Sequence, residues 1–219
     1  MASSRARPDE VDIERSSDVD RAALVRAALR SLVAANGLHG TPMSAVAARA
    51  GVATGTAYVH YSSKDELVIA AYREAKLQLG QAAVARVDLH AEPAARFEQL
   101  WLGVHEYLAE SPGRARFLTQ IESSPYARLY HETFDQTGDP LTDVARHPDL
   151  ADRLLPLPLE VLFDLGLAPA VRLVSAGVDL DAESLRTVAR ACWRAVSAPG
   201  PAPRSIVTGE PDEESGHDR

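Results

Sequence analysis

The chain has 219 residues, a formal net charge of −8 at pH 7 and one cysteine, Cys192. A single cysteine excludes an intramolecular disulfide, and a chain of this length can bury a core without metals or disulfides. No apolar run reaches the roughly 18 residues that a membrane helix needs, and the N-terminus lacks the apolar core of a secretory signal, so we expect a cytoplasmic protein with no membrane partner. Aromatic residues make up only 5% of the sequence and alanine is abundant, which favours helices over strands.

Charge is distributed unevenly along the chain. Residues 19–87 contain eight Lys and Arg against four Asp and Glu, whereas residues 88–219 contain twelve against twenty-two. A mildly basic N-terminal part on an acidic remainder is typical of a small DNA-binding head on a larger body that senses or dimerises. The alternative is an ordinary fluctuation of charge, and the charges alone do not decide between the two.

The pattern between the two ends of the chain is helical throughout, with no convincing strand. Residues 1–18 are charged and aperiodic, and residues 199–219 combine prolines with an acidic cluster, so we expect a disordered arm and a disordered tail. The sequence therefore predicts an all-α protein with an N-terminal three-helix head over residues 19–65 and a larger helical body over residues 66–198.

Turn signals divide the head into short helices. A first helix over about residues 19–35 ends at Asn36-Gly37, since both residues tolerate the left-handed conformation. Thr41-Pro42 indicates an N-cap followed by proline at the first helical position of a second helix, which ends at Gly51. A third helix is predicted over about residues 54–61.

Ser63 and Glu66 form a capping box that opens a fourth helix, which can reach about residue 87. Prolines and apolar periodicity then predict the helices of the body. These are expected over residues 93–110, from residue 112 onward, and over residues 126–137, 157–176 and 182–198.

The second and third helices are joined by Gly51-Val52-Ala53, and a short glycine-containing turn between two short helices is the helix-turn-helix pattern. In the third helix, Ala57 and Tyr61 lie four residues apart and are expected to face the core. Its other sides carry small or hydrogen-bonding side chains that suit the major groove. Tyr58 and His60 can bind phosphates, and the methyl groups of the threonines can touch the methyl groups of thymine. The alternative is a plain helical hairpin with an uncharged exposed face.

The segment from Thr41 to Leu67, TPMSAVAARAGVATGTAYVHYSSKDEL, resembles the DNA-binding signature of the TetR family of transcriptional regulators at most positions. The clear resemblance covers about residues 20–76, and it implies a DNA-binding head joined to an all-helical body. Gly55 would let the backbone approach DNA, and Val59 would touch thymine methyl groups. The residues and the resemblance together give these DNA-binding candidates: Thr41, Ser44, Thr54, Gly55, Thr56, Tyr58, Val59, His60 and Lys64.

This chain departs from the family pattern at several positions. The family often has leucine where Ala57 stands, an aromatic or charged residue where Val59 stands, and phenylalanine where Tyr61 stands. No Arg or Lys occurs between Arg49 and Lys64. We therefore do not expect this helix to read guanine by bidentate hydrogen bonds.

A regulator of this type acts as a symmetric dimer, because two heads must reach major grooves about 34–36 Å apart. The resemblance implies a homodimer interface formed by the last two long helices of each subunit. The alternative is that these helices pack inside one subunit. The candidates for the dimer interface are Leu159, Leu162, Phe163, Leu185, Val188, Ala189, Cys192, Trp193 and Val196.

A pocket for a small molecule is expected in the middle of the body, where aromatic residues recur at helical spacing. Trp101 and His105 are the best individual candidates, because each brings a polar atom to an apolar face. Simple core packing is the alternative for each residue. The ligand-binding candidates are Phe97, Trp101, His105, Phe117, Gln120, Ile121, Tyr126, Tyr130 and Phe134.

The sequence contains no motif of a metal site or of a catalytic centre, so we expect no metal, no cofactor and no enzyme. The predicted function is a ligand-responsive transcriptional regulator, a repressor whose homodimer binds a palindromic operator in double-stranded DNA. A small apolar or amphipathic effector would release it. The alternative is an all-helical small-molecule-binding or scaffold protein that has lost DNA binding.

Overall fold

The computed structural model describes residues 8–133 and 138–198, and the regular elements in these ranges are helices, which confirms the all-α prediction. The head contains α1 (Pro8–Asn36), α2 (Met43–Ala50) and α3 (Thr54–His60), and α4 (Lys64–Val84) continues from it into the body. The remaining helices belong to the body. They are α5 (Pro93–Ala109), α6 (Pro112–Glu122), α7 (Pro125–Thr133), α8 (Pro140–Arg146), α9 (Pro148–Ala151), α10 (Leu159–Gly166), α11 (Ala168–Ser175) and α12 (Ala182–Val196).

Gly51 turns the chain between α2 and α3, as predicted. Its φ is +71°, a left-handed conformation that residues with a side chain rarely adopt. The N–H of Gly51 donates to the Ala48 carbonyl at 3.2 Å, and the N–H of Val52 donates to the Ala47 carbonyl at 3.0 Å. These bonds satisfy the last carbonyls of α2 within the turn, so the turn sets the direction in which α3 leaves.

The body is organised around α5, which contacts α4, α6, α11 and α12. Trp101 of α5, Tyr72 of α4 and Phe117 of α6 are among the largest fully buried side chains. Gly103 allows α4 and α5 to approach closely, because a Cβ at this position would lie 3.0 Å from the carbonyl oxygen of Ala83. The core therefore depends on a small residue at the α4–α5 contact as well as on large apolar ones.

Glu74 of α4 connects head and body by accepting hydrogen bonds from two arginines of α1. Its Oε2 lies 2.6 Å from Nε of Arg26 and 2.5 Å from Nη1 of Arg30. Burial alone would raise the pKa of Glu74, but the two guanidinium groups outweigh it and hold that pKa below its usual range. The position of α1 is thereby tied to the middle of α4.

The first helix begins earlier than predicted. α1 starts at Pro8 rather than near residue 19, so residues 8–18 of the expected disordered arm have a helical backbone. A proline followed by acidic residues suits the first turn of a helix, and this signal was available in the sequence. Residues 1–7 and the predicted tail at 199–219 lie outside the described residues, as do residues 134–137 at the predicted end of the seventh helix.

Prolines also explain where the body departs from the prediction. The helix expected over residues 157–176 is interrupted between α10 and α11, since Pro169 cannot donate a backbone hydrogen bond and would clash with the preceding turn of a continuous helix. In α11 it lies in the first turn, where no donor is needed. The short helices α8 and α9, which the sequence analysis did not predict, begin at Pro140 and Pro148 for the same reason.

Candidate functional site

One face of α3 is displayed on the surface of the head. Val59 is 82% exposed and Tyr58 is 48% exposed, and Thr54 and Gly55 are also exposed. Ala57, on the opposite face, is fully buried. The outward face of α3 is therefore accessible to a binding partner, as the helix-turn-helix interpretation requires. A plain helical hairpin with an uncharged exposed face would show the same exposure, so exposure alone does not decide between the two interpretations.

Tyr61 holds the end of α3 against α1, as the sequence analysis expected from its inward position. Its hydroxyl accepts a hydrogen bond from Nη1 of Arg26 at 2.6 Å and donates to the Ala22 carbonyl at 3.3 Å. Burial lowers the pKa of Arg26, but its bonds to Glu74 and Tyr61 outweigh burial and raise it. The hydroxyl of Tyr61 thus has half-buried hydrogen-bond partners in α1, which sequence reasoning missed.

The other DNA-binding candidates differ in how accessible they are. Ser44 is exposed at the start of α2, while Thr56 and His60 are half-buried on α3. Thr41 is only 1% exposed, and its hydroxyl donates to the Gly37 carbonyl at 2.9 Å. The expectation that Thr41 caps the second helix is wrong, because that helix begins one residue later than predicted and its N-cap is Pro42, which forms no side-chain cap.

Lys64 already has a partner in the head. Its Nζ donates to the Leu38 carbonyl at 2.7 Å and so ties the start of α4 to the chain that follows α1. Ser63 caps α4 by accepting from the N–H of Glu66 at 3.1 Å, while the Glu66 carboxylate accepts from the N–H of Ser62 at 2.8 Å. The predicted capping box is therefore present, with Ser62 rather than Ser63 as the donor to Glu66.

A cavity of about 830 Å³ lies inside the body. Lys76 and Leu79 of α4 form part of its wall, opposite residues of α10 and α11 such as Phe163 and Val171. The lining is mostly apolar with several charged side chains, and the volume is in the range that holds drug-sized ligands.

Few of the predicted pocket residues line this cavity. Among those that the structure describes, Phe97 alone does. Trp101 is 0% exposed and packs in the core, and His105 stacks on it with ring centroids 5.9 Å apart. Burial lowers the pKa of His105. For Trp101 and His105, the alternative of core packing is therefore the better interpretation.

The other pocket candidates that the structure describes do not line the cavity. Phe117 and Ile121 are buried in the core, Tyr130 is buried against Tyr72, and Gln120 is exposed. Burial raises the pKa of Tyr126 to about 12, and its hydrogen bond to Asp65 at the start of α4 acts in the same direction. Phe134 lies outside the described residues. Side chains that line the cavity but were not predicted include Lys76, Leu79, Leu118, Glu122 and His131.

The residues expected at a dimer interface are buried or half-buried within their own subunit. Leu159, Leu162, Phe163 and Val196 line the cavity. Trp193 packs on Phe97 with ring centroids 5.4 Å apart. The remaining candidates are buried or pack against the core: Leu185, Val188, Ala189 and Cys192.

The outward face of α10 carries different apolar residues. Val161 and Leu165, one helical turn apart, are exposed, and so is Leu157 just before the helix. The sequence does not distinguish the inward from the outward face of this helix, because most positions of α10 are apolar and its periodicity does not select one face.

The described part of the chain has neither a cluster of metal-ligating side chains nor a helix suited to a bilayer. Within residues 8–133 and 138–198, no group of three or more His, Cys, Asp or Glu is arranged to hold a metal ion. In the same ranges no helix combines the length and apolarity needed to cross a bilayer.

Comparison with known proteins agrees with this architecture. Residues 13–71 match the family described as bacterial regulatory proteins, tetR family, and residues 93–197 match the tetracyclin repressor-like C-terminal domain. An HTH-type transcriptional regulator of Haemophilus influenzae is 28% identical over 188 residues, which cover 83% of this chain and 98% of that protein.

Solved structures show the same arrangement. A TetR-family transcriptional regulator from Haemophilus influenzae Rd is 27% identical with a TM-score of 0.66, covering 83% of this chain and 99% of that one. A TetR family regulator from Marinobacter aquaeolei shares the fold, with a TM-score of 0.69. It is 19% identical, and the match covers 84% of this chain and 100% of that one. With the head and the body each matched, the chain belongs to the TetR family of DNA-binding transcriptional regulators.

Proposed function

We propose that this regulator is a repressor whose dimer binds a palindromic operator and releases it when a small apolar or amphipathic effector enters the cavity. The observation that carries the proposal is the path of α4. This helix begins at Lys64, directly after α3, and its residues Lys76 and Leu79 form part of the cavity wall. One rigid element therefore touches both sites. A cytoplasmic location follows from this proposal, since the operator DNA lies there.

The ion pairs of Glu74 give α4 a means to move the head. Glu74 lies two residues before Lys76 on the same helix and bonds Arg26 and Arg30 of α1. A shift of α4 at the cavity would therefore displace α1, and with it the heads of a dimer. Such coupling is reciprocal, so bound operator must weaken effector binding by the same factor by which effector weakens operator binding.

The outward face of α10 is our candidate for the dimer contact. TetR-family regulators usually dimerise, and an exposed apolar stripe at one-turn spacing, here Val161 and Leu165, suits a self-complementary twofold contact. This choice differs from the interface that the sequence indicated, whose residues on α10 and α12 are buried or half-buried within one subunit.

The contact set for DNA that we infer follows from exposure. It excludes Thr41, whose side chain is buried, and it includes Lys64 only if that side chain exchanges the Leu38 carbonyl for a phosphate. The remaining contacts are Ser44, Thr54, Gly55, Thr56, Tyr58, Val59 and His60.

Replacing Tyr58 with alanine tests this surface. Because Tyr58 is exposed and each dimer uses it twice, the Y58A variant is expected to bind the DNA upstream of its own gene about tenfold more weakly or worse. Far-UV circular dichroism and the dimer mass should not change. Fluorescence anisotropy with a labelled duplex measures the affinity.

Two further variants serve as controls. Y58F keeps the ring and so isolates the contribution of the hydroxyl to DNA affinity. Tyr107→Ala removes a tyrosine from α5 in the body and is expected to leave DNA affinity unchanged. If Y58A binds the duplex as tightly as the unmodified protein, the outward face of α3 is not the recognition surface.

A further inference from the structure

Three aromatic rings surround the ammonium group of Lys76 at the wall of the cavity. Nζ lies 5.6 Å from the ring centroid of Tyr72, 5.7 Å from that of Tyr130 and 5.4 Å from that of Phe163. All three distances are within the range of cation–π attraction. The rings come from α4, α7 and α10, so these three helices meet around one positive charge. We call Tyr72, Tyr130 and Phe163 the aromatic cage.

Contacts that do not involve Lys76 help to hold the cage. Tyr72 is 0% exposed, and its hydroxyl donates to the Glu122 carboxylate. Tyr72 and Tyr130 meet edge to face with centroids 5.0 Å apart and an interplanar angle of 84°. A binding site whose rings are already ordered loses little conformational entropy when a ligand enters.

Within the described part of the chain, the contacts that hold the ammonium of Lys76 are those with the three rings. Among the described residues, no carboxylate lies within ion-pair distance of its Nζ. Lys76 has a long and flexible stem, so its ammonium can leave the cage without moving the backbone of α4. The cage is thus a cation site that is occupied by a side chain able to withdraw.

The charges around the cavity favour a second cation over an anion. Five carboxylates contribute to its lining, against one lysine and two arginines. Glu122 touches the cage directly through its hydrogen bond with Tyr72, and Glu160 and Asp139 line the same cavity. Burial and Lys76 lower the pKa of the neighbouring His131, and these three carboxylates act in the opposite direction. An anionic ligand placed beside Lys76 would also face these three carboxylates.

We propose that the effector is an amphipathic organic cation, whose ammonium group displaces Lys76 from the aromatic cage while its apolar body fills the cavity. This inference rests on the proposed ligand-responsive function and names the chemistry of its effector. The departure of Lys76 removes a contact that holds α4 to α7 and α10. Because Glu74 ties the same stretch of α4 to α1, the change can pass to the head.

The test compares three probes that share one tail and differ in head group: decyltrimethylammonium, decanol and decanoate. Titration calorimetry below the micelle concentrations gives their affinities for the full chain. The cation is expected to bind at least about tenfold more tightly than the alcohol or the carboxylate. It should also release operator DNA at saturation.

Two substitutions separate the cage from the rest of the cavity. Lys76→Met keeps a stem of similar length but empties the cage, so it is expected to raise cation affinity severalfold. Phe163→Leu removes one ring of the cage and is expected to lower cation affinity about fivefold more than it lowers decanol affinity, since Phe163 also lines the cavity. The matched control is Phe97→Leu, a ring of the cavity wall that has no contact with the ammonium, which should weaken all three probes alike.

Other outcomes overturn the inference. If decanoate binds most tightly of the three probes and the Lys76→Met variant loses that binding, Lys76 is an anchor for an anionic effector. Equal affinities for the three probes would mean that the tail alone is recognised, and no binding by any of them would exclude this class of effector. Operator binding measured in the same samples without a probe tests the repressor proposal separately, since it does not depend on the cage.

Discussion

Replacing Val161 and Leu165 together with aspartate is expected to split the dimer and to lower operator affinity about a hundredfold or more. Both side chains are exposed on the outward face of α10, and a twofold contact brings each new carboxylate close to its copy in the partner. Separated subunits lose the bivalent engagement of two half-sites, which accounts for factors of this size. Light scattering on a sizing column measures the mass, and a duplex titration measures the affinity.

The matched control for this double variant is Leu89→Asp, which places a carboxylate at an exposed leucine between α4 and α5. We expect it to leave mass and affinity unchanged. A double variant that keeps the dimer mass would move the interface to another face. A monomer that still binds the operator at full affinity would contradict the need for a dimer.

Trp101→Ala is expected to lower the free energy of unfolding by about 3–5 kcal/mol. The side chain is 0% exposed in the centre of the body, so its removal leaves a cavity that the packed helices cannot close. In a chain of this size the loss corresponds to a fall in Tm of roughly 6–20 °C. Urea unfolding followed by circular dichroism measures it.

Trp193→Ala is the comparison for this variant. Trp193 is half-buried on α12 and packs on Phe97, so its loss should cost clearly less stability. If Trp101→Ala folds as stably as the unmodified chain but no longer responds to effector, Trp101 belongs to the pocket after all, as the sequence analysis first suggested.

The head could be predicted because its signals are local. The turn at Gly51, the inward positions of Ala57 and Tyr61 and the cap at Ser63 all follow from neighbouring residues, and the structure has each of them. The bonds of Arg26 to Glu74 and Tyr61 could not be predicted in this way. They join residues 48 and 35 positions apart, and nothing near either partner indicates the other.

The body was harder to predict because core and cavity walls use the same apolar residues at the same spacing. Trp101 and Phe97 lie one turn apart on α5, yet Trp101 is in the core and Phe97 faces the cavity. Only the packing of α10 and α11 decides which turn faces empty space. Lys76 illustrates the same point, since an isolated lysine on a helix suggests a solvent-exposed position until the three rings from other helices are located.

The most direct test of the account is the binding of the unmodified protein to DNA from upstream of its own gene and to a shuffled duplex of the same composition. The account predicts an even number of subunits on the specific duplex, a preference of at least about a thousandfold at moderate salt, and an affinity that falls as salt rises. Equal affinity for the two duplexes, or a single subunit bound at full affinity, would contradict it.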